Sequence, residues 1–366
     1  MPKQPKDHQK RLDEYLSSRP SIRPGNQDRD GEDSGPGPGP SKPKATRTLS
    51  KRQELIDRGR VDHPQRRSLL DVADETKRVL PGILDQIPGI MAGKSVAYFS
   101  DTLPALRAAD CPRRTASGRA RIRVVNDDTF NAAAALAAAR PGGGRVAVLN
   151  MASDVVPGGG WEHGAMAQEE ELCFRSSLYL SLHARYYPWA RTQALYSPDV
   201  VVIRGDYASG HGLLVKSSSS SPSSSSTSPL APKDLPVVGV LSVAALRTPA
   251  AKTVAVRRAG GGKDAAVKVV DEQRYADPKA REAAKNKMRL TLRMAAANGH
   301  GLLVLGALGC GAFRNPKHDV AHCWLEVLRE AEFRGGWWEE VWFAVYDRRR
   351  EGNFELFEEL LGGEEV

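Results

Sequence analysis

Short apolar segments alternate with longer helix-forming segments along most of this chain. Seven of the apolar segments have the length and residue content of buried strands: Ser95–Phe99, Ile122–Val125, Val146–Leu149, Val200–Ile203, Val237–Val243, Gly301–Leu305 and Val341–Tyr346. Helices are predicted over Thr129–Ala139, Pro278–Ala297, Val320–Phe333 and Asn353–Leu361. This alternation is typical of an α/β fold, in which helices cover both faces of a mainly parallel sheet.

Composition divides the chain into a main domain and several attachments. Residues 1–50 are rich in Pro, Gly, Ser and charge and poor in aliphatic side chains, which predicts a disordered tail. Residues 51–93 place apolar side chains at helical spacing, so we predict accessory amphipathic helices that stop at Pro81-Gly82 and pack on the core. The main domain spans residues 94–361 and carries a disordered Ser/Pro insertion at 217–232, in a surface loop.

Charge, hydropathy and cysteine usage indicate which kinds of protein this chain can be. No run of eighteen apolar residues occurs and the first residues are charged, so we expect an intracellular protein, nuclear or cytoplasmic or both, without a membrane partner. The net charge is +9, and residues 1–60 hold fourteen Lys or Arg against nine Asp or Glu. Such a basic tail could make weak contacts with nucleic acid. The four cysteines are widely scattered, which favours reduced thiols and predicts no metal.

One segment combines a buried strand, a glycine loop and clustered acids. The strand Val146–Leu149 ends at Asn150 and is followed by the triplet at 158–160 and by Gln-Glu-Glu at 168–170. Glycines let a backbone approach a ligand closely, and successive amide groups can cradle a phosphate. A phosphate loop alone would only bind, so the neighbouring carboxylates indicate catalysis. The other glycine triplets, at 142–144 and 260–262, lack this context and are interpreted as a turn and a linker.

The spacing of three glycines, seven residues and Gln-Glu-Glu resembles the motif of the poly(ADP-ribose) glycohydrolases, in the microbial and fungal-type branch of the macrodomain superfamily. Flanking segments are similar too: VLNMASDVVPGGGW from Val148, LCFRSSLY from Leu172 and LLVLGALGCGAFRNP from Leu302. The resemblance implies a macrodomain-like three-layer α/β/α fold with a mixed, mainly parallel central sheet. It also implies hydrolysis of the ribose-ribose O-glycosidic bonds of poly(ADP-ribose), with release of ADP-ribose and without a cofactor.

The resemblance also assigns roles to residues. It makes Glu170 the general acid and base, with a raised pKa, and lets Glu169 orient the sugar. Neighbours on a helix project about 100° apart, which argues against two facing carboxylates and for a single-acid mechanism, and Glu171 should face elsewhere. The residues expected to bind substrate are Asn150, Gly158, Gly159, Gly160, Gln168, Gly309, Cys310, Gly311, Ala312 and Phe313.

Several alternatives stay open at this stage. A non-catalytic ADP-ribose reader would keep both loops, and a related hydrolase would remove single ADP-ribose units from ADP-ribosylated proteins. A nucleic-acid-binding protein driven by the basic tail is disfavoured, because the tail lacks interleaved aromatic residues. A nucleophilic Cys310 would need a partner base that the sequence does not identify. A monomer is favoured.

Overall fold

The computed structural model describes residues 64–115, 117–215, 229–258, 268–348 and 350–366. The α-helices within these residues are α1 (Pro64–Leu84), α2 (Thr129–Ala139), α3 (Gln168–Arg175), α4 (Pro278–Ala297), α5 (Lys317–Leu328) and α6 (Asn353–Leu361). The strands are β1 (Val96–Phe99), β2 (Ile122–Val125), β3 (Ala147–Met151), β4 (Gln193–Val201), β5 (Val237–Val243), β6 (Ala251–Arg258), β7 (Lys268–Tyr275), β8 (Leu302–Leu305) and β9 (Glu340–Ala344).

Seven of these strands form one mixed sheet in the order β1-β4-β5-β3-β8-β9-β2. β4 pairs antiparallel with both β1 and β5, whereas every pair from β5 across to β2 is parallel. The register sets Asn150 of β3 opposite Ser242 of β5. The predicted α/β fold with a mixed, mainly parallel sheet is confirmed.

Helices cover both faces of the sheet and enclose two apolar cores. α4, α5 and α6 pack on one face, where Trp324 is fully buried. α1, α2 and α3 pack on the other face, where Phe174 is fully buried. Successive side chains of a strand point to opposite faces, so Val148 enters the second core and Leu149 the first. Removal of this apolar surface from water is the main term that favours the three-layer arrangement.

Two features of the structure differ from the predicted pattern. α1 does not stop at Pro81-Gly82 but continues to Leu84, because Leu80 and Ile83 are buried beside the end of β4. Their burial outweighs the backbone hydrogen bond that Pro81 cannot donate. β6 and β7, which no predicted strand covers, form an antiparallel hairpin, and the triplet at 260–262 between them, interpreted as a linker, lies outside the described residues.

Some boundaries also move. The strand predicted at Val200–Ile203 is the end of the longer β4, in which Pro198 and a register shift interrupt the apolar pattern. The helix predicted at Val320–Phe333 begins earlier, as α5, and ends at Leu328 before a short 3₁₀ turn. The tail predicted at 1–50, and residues 216–228, which form most of the predicted insertion, lie outside the described residues.

The parallel strands bring several loops to one edge of the sheet. β3, β5, β8, β9 and β2 all end at this edge, so the loops that follow them are neighbours in space although they are distant in sequence. In the part of the chain that the structure describes, no helix has the length and apolarity needed to cross a bilayer.

Candidate active site

A cavity of about 880 Å³ lies at the carboxyl ends of the parallel strands. Its wall includes these residues predicted as site residues: Gly159, Gln168, Glu169, Glu170, Gly309, Cys310, Gly311, Ala312 and Phe313. The structure therefore brings the two separated sequence motifs to one cavity. Asn150, Gly158 and Gly160 do not line it and lie behind its wall or beside it.

The glycine triplet forms a tight bend against the carboxyl groups of α3. Gly158 and Gly159 have φ values of +68° and +61°, in the left-handed region that glycine adopts at little cost. A Cβ atom added to Gly159 would lie 2.4 Å from Oε1 of Glu170 and 3.3 Å from Oε2 of Glu169. Glycine at 159 is thus required by close approach as well as by backbone conformation.

Glu170 is held against this bend by a backbone donor. The amide of Gly160 donates a hydrogen bond to Oε1 of Glu170 at 2.8 Å. The residue is buried at 9 % exposure and still lines the cavity. A carboxyl group with a fixed position on a cavity wall meets the geometric requirement for a general acid or base.

Glu169 is more deeply buried and has a different set of partners. Its Oε2 accepts a hydrogen bond from the amide of Ser153 at 2.7 Å, and its Oε1 accepts one from Nδ2 of Asn150 at 3.3 Å. Burial raises the pKa of Glu169 to about 8, against the opposing effect of these hydrogen bonds. The carboxyl group is therefore largely protonated at neutral pH and can donate as well as accept a hydrogen bond.

Asn150 and Gln168 hold α3 and Glu169 in position through hydrogen bonds with β3 and its neighbours. Asn150 is fully buried at the end of β3, and its Nδ2 also donates to Oγ of Ser242 at 3.0 Å. It hydrogen-bonds Glu169 and is not among the residues that line the cavity, so its expected contact with substrate stays a prediction. Gln168 joins α3 to β3, since its Oε1 accepts from the amide of Met151 at 2.8 Å and its Nε2 donates to the carbonyl of Leu149 at 2.7 Å.

Glu171 corrects a further expectation. It was expected to face away from the site, yet it is buried and lines the cavity together with its neighbours. Its Oε1 accepts a hydrogen bond from the amide of Tyr207 at 3.0 Å, and its Oε2 lies 2.9 Å from Nε2 of His211. The acid therefore joins α3 to the segment that follows β4.

The second loop, which follows β8, is held by Asn315. Nδ2 of Asn315 donates to the carbonyls of Leu246 at 2.7 Å and of Gly309 at 3.2 Å, and its Oδ1 accepts from the hydroxyl of Tyr275 at 2.9 Å. Gly309 has φ +76°, and a Cβ there would lie 2.4 Å from Nδ2 of Asn315. The ring of Phe313 lies 4.5 Å from the guanidinium of Arg247.

The surroundings of Cys310 do not favour a nucleophilic thiol, and the described residues do not form a metal site. Burial raises the pKa of the Cys310 thiol to about 12, so this group is protonated at neutral pH and a poor nucleophile. Among the described residues there is no cluster of three or more His, Cys, Asp or Glu arranged to hold a metal ion.

Sequence reasoning missed the part of the cavity wall that is built by the segments after β2, β4 and β9. The lining residues there are Asp127, Asp128, Thr129, Asp206, Tyr207, Val345, Tyr346, Asp347, Arg348, Glu351 and Asn353. Polar residues directly after the predicted strand Ile122–Val125 were a signal for part of this wall. The rest carries no motif, and its contribution depends on β9 and β2 being neighbours in the sheet.

Asp128 illustrates how this wall is held. Its carboxylate caps α2 by accepting a hydrogen bond from the amide of Phe130 at 2.7 Å, and it forms a buried ion pair with Arg175 at the end of α3. Burial raises the pKa of Asp128, and the charge of Arg175 opposes this shift. The start of α2 and the end of α3 are thereby connected.

Fold and site together define a layered α/β protein with an acid-lined ligand cavity at the carboxyl edge of its sheet. Residues 90–205 match the family described as microbial-type PARG, catalytic domain. The predicted resemblance to microbial-type poly(ADP-ribose) glycohydrolases (PARG) is therefore confirmed. No curated protein matches the chain.

Solved structures extend this likeness over most of the chain. The poly(ADP-ribose) glycohydrolase of Thermomonospora curvata is 25% identical, with a TM-score of 0.56, and the match covers 80% of this chain and 99% of that one. The poly(ADP-ribose) glycohydrolase of Deinococcus radiodurans, solved in complex with ADP-ribose, is 27% identical with a TM-score of 0.53, and the match covers 77% and 97%.

Proposed function

We propose that this protein is a glycosidase that hydrolyses the ribose-ribose O-glycosidic bonds of poly(ADP-ribose) and releases ADP-ribose, with Glu170 as general acid and base. The observation that carries the proposal is the contact between the Glu170 carboxyl and the glycine bend, 2.8 Å from the Gly160 amide, on the wall of the cavity. Support comes from the similar PARG of Deinococcus radiodurans, whose structure contains ADP-ribose.

In the proposed mechanism, Glu170 donates its proton to the departing ribose oxygen as the glycosidic bond breaks. The bond electrons leave with that oxygen, and an oxocarbenium-like sugar remains. The Glu170 carboxylate then removes a proton from a water molecule as its oxygen bonds to the sugar carbon, which restores the acid. Glu169, which Ser153 and Asn150 hold in position, hydrogen-bonds the sugar hydroxyls.

The two glycine loops would hold the diphosphate from opposite sides. The amides of Gly309, Gly311 and Ala312 are the proposed donors. The triplet at 158–160 would contribute close backbone approach, because the Gly160 amide donates to Glu170 and the Gly159 amide to the carbonyl of Val156. Phe313 would pack against the distal ribose, as the resemblance implies. The same cavity would accept ADP-ribose attached to proteins, so poly(ADP-ribose) and ADP-ribosylated proteins are the proposed partners.

We also propose that residues 94–361 form the catalytic domain and that the segment before them supports it. In support, Oγ1 of Thr76 in α1 donates to the carbonyl of Phe174 at 2.8 Å. The ammonium of Lys77 lies 3.1 Å from Oε1 of Glu162 and 5.5 Å from the centre of the Trp161 ring. α1 thus contacts the chain between the glycine bend and α3.

A substitution of Glu170 tests the proposed mechanism. Glu170→Gln keeps the size of the side chain but removes the acid, so we expect release of ADP-ribose from polymer to be abolished while free ADP-ribose still binds. Glu162→Gln is the matched control, because Glu162 is an exposed glutamate on the same segment and does not line the cavity.

Both variants should be assayed by release of ADP-ribose from purified polymer and by calorimetric titration with ADP-ribose. Release at the wild-type rate by the Glu170→Gln variant would exclude the mechanism. A wild-type protein that binds ADP-ribose but never shortens polymer would instead identify a reader. Comparison of polymer with singly modified protein as substrate separates the two hydrolase activities.

A further inference from the structure

Lys287 of α4 is a buried cation, and the residue is 9 % exposed. No hydrogen bond or ion pair joins its Nζ atom to another residue of the described ranges. Burial lowers the pKa of Lys287 to about 8, against the charge of Asp154, so the ammonium is still mostly charged at neutral pH. A buried charge without a partner destabilises a folded protein. The described fold therefore offers no compensation for the charge of Lys287.

A small cavity places Lys287 behind the second loop of the site. Lys287 lines this cavity of about 10 Å³ together with Leu308 and Asn315, which belong to the loop, and with Ala245. The volume holds one water molecule at most, which cannot satisfy the three donors of an ammonium group. Ala245 also lines the large cavity, so the two cavities adjoin there. The charge of Lys287 therefore lies on the other side of the loop from the ligand cavity.

The wall of the large cavity is poor in positive charge. Among the described residues that line it, eight carry carboxyl groups and one, Arg348, is a cation. The guanidinium of Arg348 lies 4.7 Å from the centre of the Tyr207 ring, on the part of the wall that follows β4 and β9. The second loop contributes residues 309–313, none of which is charged. A diphosphate on this loop would thus meet backbone amides but no cationic side chain of the loop wall.

Other cations near the second loop have partners or solvent. Arg247 forms an ion pair with Asp154, which also offsets the carboxylate whose charge reaches Lys287. Nζ of Lys317 donates to the carbonyl of Glu351 at 3.1 Å. Arg314 is exposed, so water solvates and screens its charge. Lys287 differs from all three in being buried and without a partner.

We propose that the Lys287 ammonium is the counter-charge of the ligand's diphosphate and acts on it through the second loop. This inference rests on the proposed function, which sets the diphosphate on the amides of Gly309, Gly311 and Ala312. Electrostatic attraction needs no contact, and salt screens it little where protein rather than water fills the intervening space. Lys287 is accordingly a positioning residue for the anion, whereas the loop amides touch it.

The decisive variant is Lys287→Met, which keeps an unbranched side chain and removes the charge. We expect it to raise Kd for ADP-ribose about tenfold, the scale of one charge interaction at an effective dielectric constant of about 20. Kd for adenosine, the uncharged part of the same ligand, should stay at the wild-type value when measured by competition. A merely structural role would weaken both ligands alike, so the difference between them is the readout. Lys287→Gln should give the same result.

Urea unfolding gives a second readout. Without ligand, Lys287→Met should be at least as stable as the wild type, because an apolar side chain replaces an unpaired charge. A fixed concentration of ADP-ribose should raise the urea midpoint of the wild type more than that of the variant.

Lys285→Met is the matched control. Lys285 lies two positions earlier on α4, about 200° around the helix. Its ammonium is 3.3 Å from Oε2 of Glu326 and 3.4 Å from Oε1 of Glu330. This variant should lose stability and keep the wild-type Kd for ADP-ribose.

Three results would overturn the inference. They are an unchanged Kd for ADP-ribose in Lys287→Met, an equal loss of affinity for adenosine, and lower stability of both ligand-free Lys287 variants, which would show that the ammonium serves the fold. A wild type that binds ADP-ribose but does not release it from polymer would count against the proposed function alone, and the Kd values would still decide the role of Lys287. A wild type that does not bind ADP-ribose would overturn both.

Discussion

Replacement of Gly159 by alanine should remove activity while leaving the protein folded. The added Cβ would lie 2.4 Å from Oε1 of Glu170, where ordinary contact begins at about 3.4 Å. The obstructing atom is the end of a flexible side chain, so the carboxyl group can swing aside by about 1 Å without disruption of the core. That movement breaks its hydrogen bond with the Gly160 amide.

The size of each effect follows from the geometry. A misplacement of about 1 Å in a catalytic group reduces the rate about 100-fold, so kcat on polymer should fall by that factor. The positive φ of residue 159 costs an alanine about 1–2 kcal/mol of folding free energy. Stability and activity should therefore change by very different amounts.

Gly142 provides the matched control for backbone strain. Its φ is +87°, and a Cβ there would meet nothing within 4 Å. Gly142→Ala should lose a similar folding free energy in urea unfolding yet keep the wild-type kcat. A folded Gly159→Ala variant with kcat within twofold of the wild type would refute the reasoning, as would an equal loss of kcat in Gly142→Ala.

Two further predictions concern buried charge. The pKa of Glu169 is raised to about 8 from 4.5, so between these pH values the folded state holds a proton that the unfolded state releases. The folding stability of the wild type relative to the Glu169→Gln variant should therefore be greatest below pH 4.5 and fall as pH rises through 8. The loss is at most about 5 kcal/mol, measured by urea unfolding at pH 5 and pH 9, and a gain over this range would contradict it. Arg175→Met should cost about 3–5 kcal/mol of unfolding free energy, because Asp128 stays buried without its partner; a loss below 1 kcal/mol would show that the pair does not stabilise the fold.

Periodicity and motif spacing in the sequence predicted much of the fold and about half of the residues that line the cavity. α2, α4 and α6 have the predicted bounds, because each has a clear start signal, a long helical pattern or both. The glycine triplet at 158–160 and the acids at 169 and 170 are close in sequence, so one bend brings them together. Local patterns of this kind need no knowledge of the remaining chain.

Contacts between segments that are distant in sequence could not be predicted from these local patterns. The register of β4 is hidden by Pro198, and α1 passes Pro81 because Leu80 and Ile83 gain burial that no local rule includes. Glu171 turns toward the cavity because Tyr207 and His211 offer partners there. Each case was decided by a neighbour that is remote in sequence.

The sequence by itself determined the α/β class, the order of most elements and the pairing of a glycine bend with Glu170, since these depend on short-range periodicity and spacing. Only the tertiary structure decided which loops meet at the cavity, that burial raises the pKa of Glu169, and where the β6–β7 hairpin begins. The physical reason is that desolvation and long-range hydrogen bonds depend on the packing of the whole sheet, and strand order is a property of that packing.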